Sequence, residues 1–166
     1  MSGSNEPSHP RSEAQIILQN KKSELGRLAS FVQQFCDDAS VDKETQFALD
    51  LSLTEWVTNI LNYGALLPEG KIEIHLRVNG SELRARVEDG GKSFNPLDRP
   101  EVDIGLPLDV KPIGGLGIHM VRKLMDETVY ERCNDKNVLS LTKRFQSFGS
   151  PVRGGENASN SSMESL

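Results

Sequence analysis

The sequence predicts an α+β two-layer sandwich: a mixed, mostly antiparallel sheet with its helices on one face. Three observations carry this. Ile72, Ile74, Leu76 and Val78 alternate with Lys71, Glu73, His75 and Arg77, and after Asn79-Gly80 the alternation resumes at Leu83, Ala85 and Val87, which is a half-buried hairpin closed by a tight turn. Two segments before it repeat apolar residues at helical spacing. A short helix and two more strands follow, again in hairpin order.

The opening MSGSNEPSHP is polar with two prolines and is expected to be a disordered tail, residues 1–11. Gln15 to Leu18 makes a short first strand. From Ser23, a candidate N-cap, Leu25, Leu28, Val32 and Phe35 mark a first helix. A second begins near Asp42, carries Phe47, Leu51, Val57, Ile60 and Leu61, and breaks near Gly64. After the hairpin, the stretch from about Gly90 to Gly114 holds four prolines. An irregular segment longer than about 15 residues inside a compact domain is expected to be a functional lid or disorder. A short helix follows, with Ile118, Val121 and Leu124 or Met125 on one face. Val129 to Arg132 and Val138 to Lys143 are the last two strands. From Gln146 the chain is rich in Ser, Asn and Gly and cannot bury a face, so 146–166 is expected to be a second tail. The folded unit is then one domain, residues 12–145.

The bulk properties narrow the function. A chain of 166 residues fits one domain. A formal charge of −5 argues against direct nucleic-acid binding, which neutralises phosphates with clustered Lys and Arg. No apolar run approaches the roughly 18 residues of a membrane helix, and no secretory signal opens the chain, so the cytoplasm is expected. Cys36 and Cys133 lack metal-ligand spacing, and each falls in an apolar pattern that predicts a buried thiol.

Three weak motifs carry the chemistry. Within LSLTEWVTNILNYG, Glu55 and Asn59 are four apart and lie one helical turn above each other, with Ser52 and Asn62 continuing the polar line. Alone, such a pair reads as a solvated helix face. In VEDGGKSFNP, Asp89 stands at a strand end before two glycines, where a carboxylate can accept from an exocyclic amine and so tell adenine from guanine; alone, this is a simple Asp-Gly turn. In PIGGLGIHMVRKLMDE, Gly114, Gly115 and Gly117 open a helix whose free amides favour an anion such as phosphate; alone, this is an ordinary helix entry. It is neither a Walker loop nor a Rossmann fingerprint, since no Gly-Lys-Ser/Thr follows a strand and no βαβ unit surrounds the glycines.

In order and spacing, Glu55-x-x-x-Asn59, Asp89-x-Gly91-x-x-Phe94 and Gly114-Gly-x-Gly117 resemble the conserved boxes of the histidine-kinase-like (GHKL) ATPases. EWVTN, GGKSFNP, KPIGGLGI and NVLSLTKRF resemble the stand-alone serine kinases that act as anti-sigma factors, the RsbW-like branch, over nearly the whole span from Ser12 to Phe145. Two positions depart from the branch: Tyr63 stands where a histidine is common, and Asn95 where Phe-Asp-Pro is usual. Neither position is that of the base or the metal ligand.

The resemblance implies a Bergerat-type ATP-binding fold, with Glu55 as general base, Asn59 as a ligand of Mg²⁺ beside the ATP phosphates, Asp89 reading the adenine amino group, Gly91 letting the purine lie close, and Gly114, Gly115 and Gly117 cradling phosphates under a 90–114 lid. It further implies a serine/threonine protein kinase that sequesters a sigma factor and phosphorylates its STAS-type antagonist, possible as a homodimer. A non-catalytic ATP-binding partner switch is the alternative. The catalytic half of a sensor histidine kinase fits less well, because only about twenty residues precede the first helix, and their one histidine is His9 in the expected tail. His119, His75, Trp56 and the Arg122-Lys123 pair are read as packing or surface residues.

Overall fold

The computed structural model describes residues 11–95 and 115–146. The two expected tails, apart from residues at their inner margins, and most of the expected lid lie outside these residues, as does Gly114. The order is β1 (Arg11–Gln19), α1 (Glu24–Asp38), α2 (Lys43–Tyr63), β2 (Lys71–Asn79), β3 (Glu82–Asp89), α3 (Gly115–Leu124), β4 (Glu127–Cys133) and β5 (Lys136–Arg144). The five strands form one sheet in the order β1-β2-β3-β5-β4, and all four described pairings are antiparallel. The first strand is longer than the four residues expected, because its polar end pairs with β2 as far as Asn79.

One face of the sheet is apolar. Ile16 and Leu18 from β1, Ile72 to Val78 by alternation from β2, Leu83, Ala85 and Val87 from β3, and Leu139 and Leu141 from β5 are buried beneath the helices. The other face carries His75, Arg77, Arg84 and Arg86 on β2 and β3 and is open. This places His75 half-exposed on that face, as its alternation predicts.

Helix α2 lies between α1 and α3 and contacts both. Its N-terminus is capped as Asp42 predicts: the carboxylate accepts from the Thr45 amide at 2.9 Å and from the Thr45 hydroxyl at 2.8 Å. Ser23 stands at the corresponding position of α1 but makes no side-chain cap, because its backbone is already helical there (φ −62°, ψ −18°). The buried stripe of α2 runs through Leu49, Leu53, Trp56, Val57 and Ile60, whereas Phe47 is 62% exposed. Trp56 is therefore a core residue. On α3 the buried face is Ile118 and Val121, continued by Met125 just past the helix end.

Both hairpins close through two-residue turns. The first turn is centred on Gly80-Ser81, one residue beyond Asn79-Gly80, with Asn79 still paired to Glu82. Gly80 holds φ 62° at the first central position, the placement a type II′ turn needs. In the second, Asn134 and Asp135 both have positive φ (48° and 60°), as a type I′ turn demands, and Cys133 pairs with Lys136. Cys36 is buried as expected, but Cys133 is exposed. The strand pattern around Cys133 is misleading because β4 is an edge strand, and its last residue stands beside the turn with nothing packed over it.

Candidate functional site

The polar line of α2 climbs out of the core: Ser52 is buried, Glu55 and Asn59 are half-buried, and Asn62 is exposed. Asn59 Nδ2 donates to the Glu55 carbonyl at 2.8 Å. That bond occupies the donor end of the amide and leaves Oδ1, a hard acceptor, free of any hydrogen bond among the described residues. The Glu55 carboxylate lies directly against Gly117 in the first turn of α3, so that a methyl group at Gly117 would overlap it. Two of the three sequence motifs are thus in van der Waals contact. A carboxylate at this place also sits favourably beside the amide end of the α3 dipole.

The third motif meets the other end of α2. Asn59 and Asp89 line one cleft, whose apolar walls are Trp56, Ile60 and Phe94. Asp89, at the end of β3, is 3% exposed. Its Oδ1 accepts from the Gly91 amide at 2.8 Å and from Asn137 Nδ2 at 2.9 Å. Its Oδ2 takes no hydrogen bond among the described residues and is left to the cleft. Burial holds this carboxyl above the usual carboxylate range, against the opposing pull of the Asn137 and Gly91 hydrogen bonds and the Arg132 charge.

Gly91 has a reason for lacking a side chain that the sequence does not show. A methyl group there would run into the carbonyl of Gly64, the residue that ends α2, and into Asp89 itself. The next amide, Lys92 N–H, donates to the same Gly64 carbonyl at 2.7 Å. The loop after β3 is in this way stitched to the C-terminus of α2 by backbone.

Of the seven residues singled out from sequence, Asn59, Asp89 and Gly91 gather around the cleft, and Glu55 and Gly117 meet one turn away. Gly115 is the first residue of α3, and Gly114 lies outside the described residues. Sequence reasoning missed Asn137, 5% exposed, which hydrogen-bonds Asp89, and Gly64. The signal for Asn137 is its place opposite Asp89 in the β3–β5 pairing, which needs the register of two strands far apart in sequence. His119 is half-buried on α3 and does not line the cleft.

A family model described as a histidine kinase-like ATPase domain matches residues 18–143. The fold is accordingly that of an ATPase-class domain. The chain belongs to the histidine kinase-like ATPase family. Among curated relatives, the serine-protein kinase RsbW of Listeria monocytogenes is 27% identical over 124 residues, covering 72% of this chain and 78% of the relative. The serine/threonine-protein kinase BtrW of Bordetella bronchiseptica is 29% identical over 99 residues, covering 58% of this chain and 69% of the relative. The crystal structure of the RsbU and RsbW domains of Rv1364c from Mycobacterium tuberculosis matches with a TM-score of 0.59 at 16% identity, over 80% of this chain and 32% of that longer one. That last likeness is one of fold. Among the described residues no helix is long and apolar enough to cross a membrane.

Proposed function

We propose that the chain is an ATP-dependent serine/threonine protein kinase and anti-sigma factor, which holds a sigma factor and phosphorylates the antagonist protein that would release it. The observation behind this reading is the contact of Glu55 with the first turn of α3, one helical turn along α2 from Asn59, which itself lines the Asp89 cleft. A carboxylate able to take a proton and an acceptor able to select adenine then belong to one site. The distant relationship to two kinases of serine and threonine supports the same reading and the choice of acceptor hydroxyl.

In this mechanism Asp89 Oδ2 accepts from the adenine amino group, and the apolar walls of the cleft exclude water from the base. Phosphates directed to the α3 N-terminus, where Gly115 and Gly117 stand, would meet amides that a helix start leaves without intrahelical partners. They also meet the Glu55 carboxylate, a like charge. The oxygen donors here, Asn59 Oδ1 above all, suit Mg²⁺, which when bound would supply charge neutralisation between these anions. Glu55 takes the proton of the acceptor hydroxyl as its oxygen forms the bond to the γ-phosphorus. The bond to the β,γ-bridging oxygen breaks, and ADP leaves. A cytoplasmic site of action follows from a sigma-factor partner.

The test separates binding from chemistry. Mg-ATP at a hundred times its Kd should add about 2.7 kcal/mol to wild-type stability, roughly 5–10 °C in Tm. Glu55→Ala should keep that shift and lose phosphotransfer to a bound antagonist by about 10²–10⁴-fold. Transfer at the wild-type rate would remove Glu55 as the base. Nucleotide binding with no transfer by the wild type would leave a non-catalytic, ATP-sensing partner switch.

A further inference from the structure

We propose that Arg132 and Tyr130, on edge strand β4, are positioning residues for adenine recognition: they lock the Asn137 amide in one orientation and thereby fix which oxygen of Asp89 faces the cleft. This rests on the assignment of Asp89 to the adenine amino group. Cross-strand register supplies the framework. Arg132 is paired with Asn137 across β4–β5, and Asn137 with Asp89 across β5–β3, so the three residues form one row over the sheet.

The row has a direction, set by donor chemistry. Asn137 Oδ1 accepts from the Tyr130 hydroxyl and from Arg132 Nη1, each at 2.8 Å. Its Nδ2 donates to Asp89 Oδ1 at 2.9 Å and to the Lys92 carbonyl at 3.1 Å. A guanidinium has donors only, and a carboxylate and a carbonyl are acceptors only. Turning the amide over would set N–H against N–H on one side and oxygen against oxygen on the other. Tyr130 alone does not impose this polarity, because its hydroxyl either donates or accepts. Arg132 does. The same Nη1 also donates to the Gly91 carbonyl at 2.8 Å, steadying the loop whose amide holds Asp89 Oδ1 from the other side.

With both donors in place Oδ1 is saturated and Oδ2 is the acceptor left for a ligand. Arg132 is the charged side chain that acts on Asp89. The α2 wall of the cleft contributes Trp56, Asn59 and Ile60, none of which titrates, and the Lys92 side chain is exposed at the rim.

The experiment is calorimetric Kd for Mg-ATP and Mg-GTP between pH 5 and 8, on the full chain and on Arg132→Met, Arg132→Lys, Tyr130→Phe and Asp89→Ala. Arg132→Met should weaken ATP about tenfold, narrow the preference over GTP, and move the acid-side loss of ATP binding to higher pH. Arg132→Lys keeps the charge and a donor and should restore the pH profile, whereas Tyr130→Phe should change affinity by less than about threefold. An Arg132→Met protein with wild-type affinity, nucleotide preference and pH profile overturns the proposal. So does an equal loss for ATP and GTP with an unmoved pH profile, which would be general loosening. If Asp89→Ala itself binds ATP normally, the underlying adenine assignment fails instead.

Discussion

Gly91 and Gly117 have no room for a methyl group, and each is blocked by an oxygen. At Gly91 the oxygen belongs to the backbone of Gly64, fixed by the end of α2 and already bonded to the Lys92 amide. At Gly117 it belongs to the tip of the Glu55 side chain, which has no hydrogen bond or ion pair among the described residues. The first contact is between two rigid parts, and the second between a rigid part and a movable one. The Asp89 end of the cleft, the proposed recognition end, is thus joined through backbone, while the proposed chemical end is held by shape alone and can rearrange.

Two alanine substitutions separate these cases. Gly91→Ala must push apart β3 and the end of α2, and should cost about 1–3 kcal/mol of stability, as overpacking does, with the Mg-ATP thermal shift lost as well. Gly117→Ala requires only that Glu55 swing away, and alanine is the better helix former by about 1 kcal/mol. Chemical denaturation should therefore show little or no loss of stability. Phosphotransfer should still fall about 10–100-fold if Glu55 is the base proposed, because a base displaced by roughly an ångström loses its alignment. Equal destabilisation by both substitutions would mean that Glu55 is as fixed as the Gly64 carbonyl, and the distinction between the two ends would be lost.

The difference between backbone and side chain also explains what was legible in the sequence. Alternation gave the β2–β3 hairpin, and Asp42 gave the start of α2, because each depends on residues near in sequence. The helix face was harder. The apolar residues of α2 are spread around the helix beside its polar line, so Phe47 and Leu51 were as eligible for the core as Leu49 and Leu53, and only packing between α1, α3 and the sheet decides. For the site, Glu55, Asn59, Asp89 and Gly117 were legible as spaced motifs. Asn137 was not, since its role exists only once β5 is placed beside β3. The Gly64–Gly91 contact has the same character: two ordinary turn glycines become a joint by tertiary approach.

A smaller effect concerns pH at the Asp89 end. Burial raises the Asp89 pKa in the folded protein above its unfolded value. The folded state therefore binds more protons across the window between the two values, and this group's contribution to stability is full below the unfolded pKa and lost as pH rises through the folded one. In the proposed mechanism ATP affinity runs the other way, because reading the adenine amine requires the carboxylate. As pH falls from 7, Kd for Mg-ATP should begin to rise above the pH at which an exposed aspartate would titrate, while Asp89→Asn removes the group's own contribution to the unliganded stability profile. Nucleotide affinity flat down to the ordinary carboxylate range would show that the buried side of Asp89 is better solvated than its place at the end of β3 implies.

The smallest effect is a count of thiols, and it applies the same contrast of fixed and free surroundings to one residue type. Cys36 is wholly buried on α1, and burial first, then the neighbouring Asp37, push its pKa up to about 12. Cys133 ends β4 beside the Asn134-Asp135 turn and is exposed. A thiol reagent at pH 8 needs both access and thiolate, and Cys36 offers neither in the folded state. One equivalent should react rapidly in the native protein, at Cys133 by peptide mapping, and the second only in denaturant. Cys36 reacting at a comparable rate in the native protein would mean that α1 lifts from α2 readily. The end of the cleft would then rest on a helix layer less fixed than the backbone contact of Gly91 with Gly64 requires.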